Sequence, residues 1–154
     1  ADEGFAYDSS IFPVRHDRYG VPEAPRFAHM AVGPSGGRIL EIPPLTLRIR
    51  GTNLPAGGGG YFRLFPMPVF TRALRKTASA GHPGMIYLHP WEIDPDQPEL
   101  PLSRLGRWRH RVNLRRTFGR LDRLLGRYRF TCVESALESL RAGAPSRTQR
   151  YGAA

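Results

Sequence analysis

Met85-Ile86-Tyr87-Leu88-His89-Pro90-Trp91-Glu92-Ile93-Asp94 opens on four apolar side chains and ends in polar and aromatic ones. Gly84 and Pro90 bound the apolar part. A short unbroken apolar run between such breakers is the pattern of a strand buried on both faces, as in a parallel sheet. His89 then falls at the C-terminal end of that strand. Ligands of α/β sheets and barrels sit at this edge, because the loops there are free to vary. An imidazole, with an ordinary pKa of about 6.5, suits acid or base work there. Trp91 offers a flat wall for a pocket or a floor for a sugar. A histidine satisfied at a strand end, with Glu92 and Asp94 merely solvated, fits the same letters, and the pattern alone leaves both readings open.

Upstream, Leu45, Leu47 and Ile49 alternate with Thr46, Arg48 and Arg50, which predicts a half-buried strand with its Arg side wet or facing a ligand. Pro66 and Pro68 stand where a helix can start. Val69, Phe70, Ala73 and Leu74 give it an apolar face, and Gly81 ends it. A strand–helix–strand rhythm therefore runs over residues 45–88, with parallel strands expected. Residues 1–37 are punctuated by Pro and Gly and read as a long irregular loop, with a short strand end at residues 4–7. Gly57-Gly58-Gly59-Gly60 is no phosphate loop, since neither Gly-Lys-Ser/Thr nor GxGxxG is present. It reads as a flexible lid, or as a place where backbone comes close to a ligand.

Downstream, Leu105, Trp108 and Val112, then Phe118, Leu121, Leu125 and Tyr128, keep helical spacing and predict two amphipathic helices broken near residues 113–117. Residues 128–131 read as a last short strand. Thr131 and Glu134 have capping-box spacing for a helix over 133–141, closed by Gly143. Residues 144–154 read as a disordered tail, which leaves 1–143 as one domain.

The 154 residues include 17 Gly and 15 Pro. The longest stretch free of both is 127–142, which excludes coiled coils and long-helix bundles. Strands alternating with helices make the class α/β. No run approaches ~18 apolar residues, so no membrane span is expected. No basic-then-apolar segment resembling a signal peptide opens the chain, and the compartment stays open between cytoplasm and cell envelope.

The net charge of +10 is concentrated in residues 104–129, which carry ten Arg against Asp122 alone. Nucleic acid could meet such a segment, but no nucleic-acid motif accompanies it and a solvated helix layer looks the same. Cys132 is the single cysteine, so neither an internal disulfide nor a Cys-based metal site is available. The five His show no i, i+4 or HxH spacing, which argues against a metal held by this chain alone. Asp8, in Tyr7-Asp8-Ser9-Ser10, is either a turn former or an acid able to orient a histidine.

The stretch Gly4-Phe5-Ala6-Tyr7-Asp8-Ser9-Ser10-Ile11-Phe12-Pro13, followed by Arg15-His16-Asp17-Arg18-Tyr19-Gly20, resembles the later part of polysaccharide deacetylases. These are NodB-like carbohydrate esterases, and the closest subgroup is that of bacterial exosortase-associated exopolysaccharide loci. The glycine run with Tyr61-Phe62-Arg63, the segment Tyr87 to Asp94, and Val112-Asn113-Leu114-Arg115-Arg116-Thr117 resemble the same subgroup. Residues 4–141 are covered. The resemblance implies the C-terminal portion of a distorted (β/α) barrel that hydrolyses N-acetyl groups of a polysaccharide. It implies a divalent metal, zinc by expectation, held by one Asp and two His. It implies His89 as the acid that protonates the departing amine, Asp8 as the residue orienting it, and Leu88 as a lining of the acetyl pocket. Trp91, Tyr61 and Arg63 become substrate-binding candidates, and Phe62 a further stacking ring.

The paired-Asp motif, the two-His motif and the Arg-containing motif of that family have no counterpart here. With Ala1 at the start, the resemblance implies the C-terminal half of such an enzyme, whose partner is the N-terminal half of the barrel and which is inactive alone. A carbohydrate-binding or complementing module is the alternative, and a basic nucleic-acid-binding domain a more distant one.

Overall fold

The computed structural model describes residues 4–16, 19–144 and 148–152. Its strands are β1 (Tyr7–Asp8), β2 (His29–Val32), β3 (Arg38–Glu41), β4 (Thr46–Ile49), β5 (Thr52–Pro55) and β6 (Thr148–Arg150). Its helices are α1 (Gly59–Leu64), α2 (Met67–Ser79), α3 (Arg104–Arg111), α4 (Leu114–Leu125) and α5 (Val133–Gly143), with a 3-10 turn at Pro90–Glu92.

One sheet has the order β1-β3-β2-β6; β1 and β6 run parallel to their neighbours, and β2 and β3 form an antiparallel hairpin. β4 and β5 form a separate hairpin. Its two-residue turn, Arg50-Gly51, holds both residues at positive φ, the geometry whose twist matches that of the flanking strands. The alternation of residues 45–50 thus marks a real strand, but its partner is the adjacent β5 and the pairing is antiparallel. The sequence-based expectation missed this because Thr52-Asn53-Leu54-Pro55 ends in a Pro and reads as loop.

Residues 85–88 are extended, as expected, and make parallel bridges from Met85 to Pro44 and from Tyr87 to Gly58. They are not a strand buried on both faces. Ile86 and Leu88 pack on the main core cluster, Met85 packs on the second, and Tyr87 is 41% exposed. Met85, Ile86 and Leu88 are half-buried, and Tyr87 alone of the four is exposed.

The main core gathers Leu45, Leu47, Phe62, Phe70, Leu74 and Leu124 between the β4–β5 hairpin, α1, α2 and α4. The second joins Leu40 and Ile42 to Leu140 of α5. α2 begins after Pro66 and stops before Gly81 (φ +77), as the breakers predict. α5 forms where predicted, but Cys132 is its N-cap and Thr131 does not cap it. Residues 128–131 are not a strand.

The expected disordered tail is corrected at residues 148–152. β6 pairs in parallel with β2, and the Tyr151 N–H donates to the Val32 carbonyl at 2.9 Å. Composition hid this, because a three-residue edge strand of Thr, Gln and Arg has no apolar signal. The rest of that predicted tail, apart from Ala144, lies outside the described residues.

Candidate functional site

Gly57, Gly58 and Gly59 of the glycine run are buried against protein, and the run is not a lid. A Cβ on Gly57 would meet the Leu45 nitrogen at 2.5 Å, and one on Gly59 would fall on the Glu92 carboxylate. The run lets α1 approach the 85–92 segment closely, and the Tyr87 N–H donates to the Gly57 carbonyl at 2.9 Å. Glu92 is buried there. Its Oε2 accepts the His89 N–H at 3.0 Å and its Oε1 accepts from Arg63 at 3.4 Å. The backbone of His89 is therefore fixed from below, while its side chain is exposed.

Arg63 is a correction to the expected substrate-binding set. Its side chain turns inward, 5% exposed for the residue, and its Nη1 donates to the His110 carbonyl at 2.6 Å. The α1 backbone accepts in return from Asn113 and Arg120. Arg63 thus ties α1 to the α3–α4 junction, and its placement gives no access to a ligand. Leu88 is half-buried against the main core.

The remaining candidates lie along a strip of rings. His89 stacks on Trp91 with centroids 4.2 Å apart and planes at 7°. Tyr87 meets His89 edge-on at 5.7 Å. A Cβ on Gly58 would touch both the Tyr87 hydroxyl at 2.8 Å and the Tyr61 ring at 3.6 Å, so Tyr61 continues the strip across that glycine. The Tyr61 hydroxyl bonds to that of Tyr19, whose ring stacks on His16 at 4.0 Å. Tyr19, Tyr87 and Trp91 are each between 41% and 49% exposed. Partial burial, then the nearby Tyr19 and Glu92, push the Tyr87 phenol above its ordinary pKa, so it remains an O–H donor at neutral pH. Flat faces with hydroxyl and imidazole edges can pack the C–H face of a pyranose and bond its hydroxyls.

Asp8 is elsewhere. It lies on β1, where its carboxylate accepts from the Ser9 N–H at 2.8 Å and the Ser10 hydroxyl at 2.6 Å. No hydrogen bond joins it to His89; the rings that His89 meets are those of Tyr87 and Trp91.

Asp8 stands instead in a polar row that sequence reading missed. It pairs in register with Glu41, which pairs with His29, so the three share one face across β1, β3 and β2. Glu41 and His29 are fully buried. Glu41 accepts from the Ile11 N–H at 3.0 Å through Oε1, while Oε2 has no partner. Burial first, and then Asp8, push its pKa up to about 7 despite that bond. His29 bonds the Phe27 carbonyl and the Tyr151 hydroxyl, and burial lowers its pKa. The available signal was one carboxylate inside the apolar run Ile39-Leu40-Glu41-Ile42.

Among the described residues no group of three or more His, Cys, Asp or Glu side chains converges to hold a metal ion. The donor set here therefore does not fit the divalent metal that the resemblance implies, and no step below runs through one. A mostly apolar cavity of about 330 Å³ opens between α2 and α5, but none of His89, Asp8, Trp91 or Tyr61 lines it.

A family described as "Domain of unknown function (DUF3473)" matches residues 9–138. No curated protein and no solved structure matches the chain.

Proposed function

The chain belongs to the DUF3473 family, and we propose that it is the carbohydrate-facing part of a polysaccharide deacetylase, acting on N-acetylated sugars. The observation that carries this reading is the exposed His89–Trp91 stack, extended by Tyr87 and Tyr61. Trp91 and Tyr61 pack the apolar face of a sugar ring, while Leu88 holds the segment to the main core from the other side. His89 donates a proton to the amide nitrogen, because an amide anion is too basic to leave. Glu92 fixes the His89 backbone, so the ring has a defined origin from which to reach that nitrogen. The metal chemistry of the family, polarisation of the carbonyl and acidification of water, belongs to residues this chain does not supply.

The reading is tested in a protein that also carries the paired-Asp and two-His motifs. His89→Ala is expected to lower kcat by about 10²–10⁴-fold, with metal content unchanged. Loss of metal would make His89 a ligand and contradict the assignment.

A second reading is a binding module without chemistry. It is favoured by one observation: the His89 ring is paired with aromatic rings, and among the described residues no carboxylate is hydrogen-bonded to that ring. In that case His89→Ala leaves kcat nearly intact and raises KM together with Trp91→Ala.

A further inference from the structure

α3 is held to the protein by its polar side. His110 Nε2 bonds Gln97 Oε1 at 2.7 Å, Arg111 reaches the Gln97 carbonyl at 3.3 Å, and Arg63 donates to the carbonyl of His110. On the opposite side of the helix, Leu105 and Trp108 are 57% and 55% exposed, and no residue of α3 is buried. Leu100 and Leu102, on the approach to α3, are exposed as well. An eight-residue helix is far shorter than the ~12–15 residues needed for stability alone, and helices in proteins normally gain it by burying an apolar face. Here the apolar stripe is turned outward.

The charge around it narrows what can cover it. Helical spacing puts Arg104 and Arg109 on the two borders of the stripe, and ion pairs among the described residues engage only Arg63 and Arg111. α4 continues the composition, with Phe118 and Leu125 exposed among four Arg of its own. A second copy would set one strongly positive face against another. A nucleic-acid backbone would satisfy the Arg but leave Leu and Trp without a role. An anionic bilayer surface uses both: Leu and Trp enter the headgroup boundary while Arg stems extend to the phosphates.

We propose that the outward face of α3, Leu105 and Trp108 flanked by Arg104 and Arg109, is a docking surface for anionic lipid membranes. It lies in the interface and spans nothing; no helix of the described residues is long and apolar enough to cross a membrane.

The test is co-sedimentation of the chain with phosphatidylcholine vesicles, with and without about a third phosphatidylglycerol. Trp108 emission is followed in a Trp91→Phe background, which leaves it the single tryptophan. Binding to the anionic vesicles at low salt, with a blue shift of Trp108 and little binding to neutral ones, is expected. Arg104→Gln/Arg109→Gln should weaken it about 30-fold. Leu105→Ser/Trp108→Ser should weaken it more than about 10-fold. This last variant removes side chains that are each more than half exposed, and circular dichroism verifies that it folds. Absence of binding to anionic vesicles at low salt overturns the proposal. So does vesicle binding indifferent to Leu105→Ser/Trp108→Ser, or duplex DNA binding that is tighter than vesicle binding. A dimer in sedimentation that this variant dissolves would also overturn it, by making a second copy the cover.

Discussion

The Arg63 guanidinium lies 3.4 Å from the Glu92 carboxylate, with both side chains almost entirely out of water. This pair holds together three things that are distant in sequence: the glycine-rich start of α1, the turn below His89, and the α3–α4 junction. Arg63→Met strands a buried carboxylate and bares the His110 carbonyl. It should cost about 3–5 kcal/mol in urea unfolding, the range for breaking one side of a buried ion pair. Glu92→Gln keeps the shape and should cost less, about 1–3 kcal/mol. Equal and negligible losses would show that the pair does not organise the site.

Two neighbouring glycines should respond in opposite ways. Gly59→Ala drives a methyl into Glu92, which Arg63 and the His89 N–H prevent from moving aside, and should destabilise by about 1–3 kcal/mol. Gly60, also in α1, has open space where a Cβ would go. Gly60→Ala should be neutral, or stabilise by up to about 1 kcal/mol through helix propensity. Thermal melts of the two variants check the contrast.

The polar row on the sheet makes stability depend on pH. Glu41 has a folded pKa raised from 4.5 to about 7, so the folded state favours its protonated form. That contribution is complete below 4.5 and is lost as pH rises through about 7. His29 has a lowered pKa, so its contribution is present above 6.5 and is lost as pH falls below it. Glu41→Gln should therefore flatten the decline of Tm toward alkaline pH and leave the acid-side decline in place. A Tm–pH profile unchanged by Glu41→Gln contradicts the assignment.

Tyr151 ties the C-terminal strand to this row through His29 Nε2 at 2.8 Å. Tyr151→Phe should cost about 1 kcal/mol, the usual net value of such a bond. Hydrogen exchange should also quicken at the β6 amides. Exchange at those amides as fast as in an unstructured peptide, in the unaltered chain, would mean that β6 does not pair.

Much of the helical architecture was legible from the sequence because its signals are local. Pro66 and Gly81 delimit α2, periodicity places α3 and α4 to within a few residues, and Gly143 closes α5. Register and burial were less accessible, because both depend on distant partners. Nothing local shows that Thr52–Pro55 folds back on β4, or that Thr148–Arg150 adds an edge to β2. The same limit explains the site. Leu105 and Trp108 have the spacing of a core face, yet the anchors that turn them outward, Gln97 and Arg63, lie in other segments. Tyr61-Phe62-Arg63 offered three candidates, and only tertiary structure separates the exposed-strip Tyr61 from the core Phe62 and the inward Arg63. His89 and Trp91 were readable because the chemistry and its neighbours fit within a few residues.

The most direct measurement of the central claim is a titration of this chain with N-acetylglucosamine oligomers. Trp91 emission would be followed in a Trp108→Phe background, together with the His89 ring resonances by NMR. The account predicts saturable changes at both residues, absent with glucose oligomers of equal length and abolished by Tyr61→Ala. Saturating oligomer that leaves the Trp91 emission and the His89 resonances unmoved would contradict it.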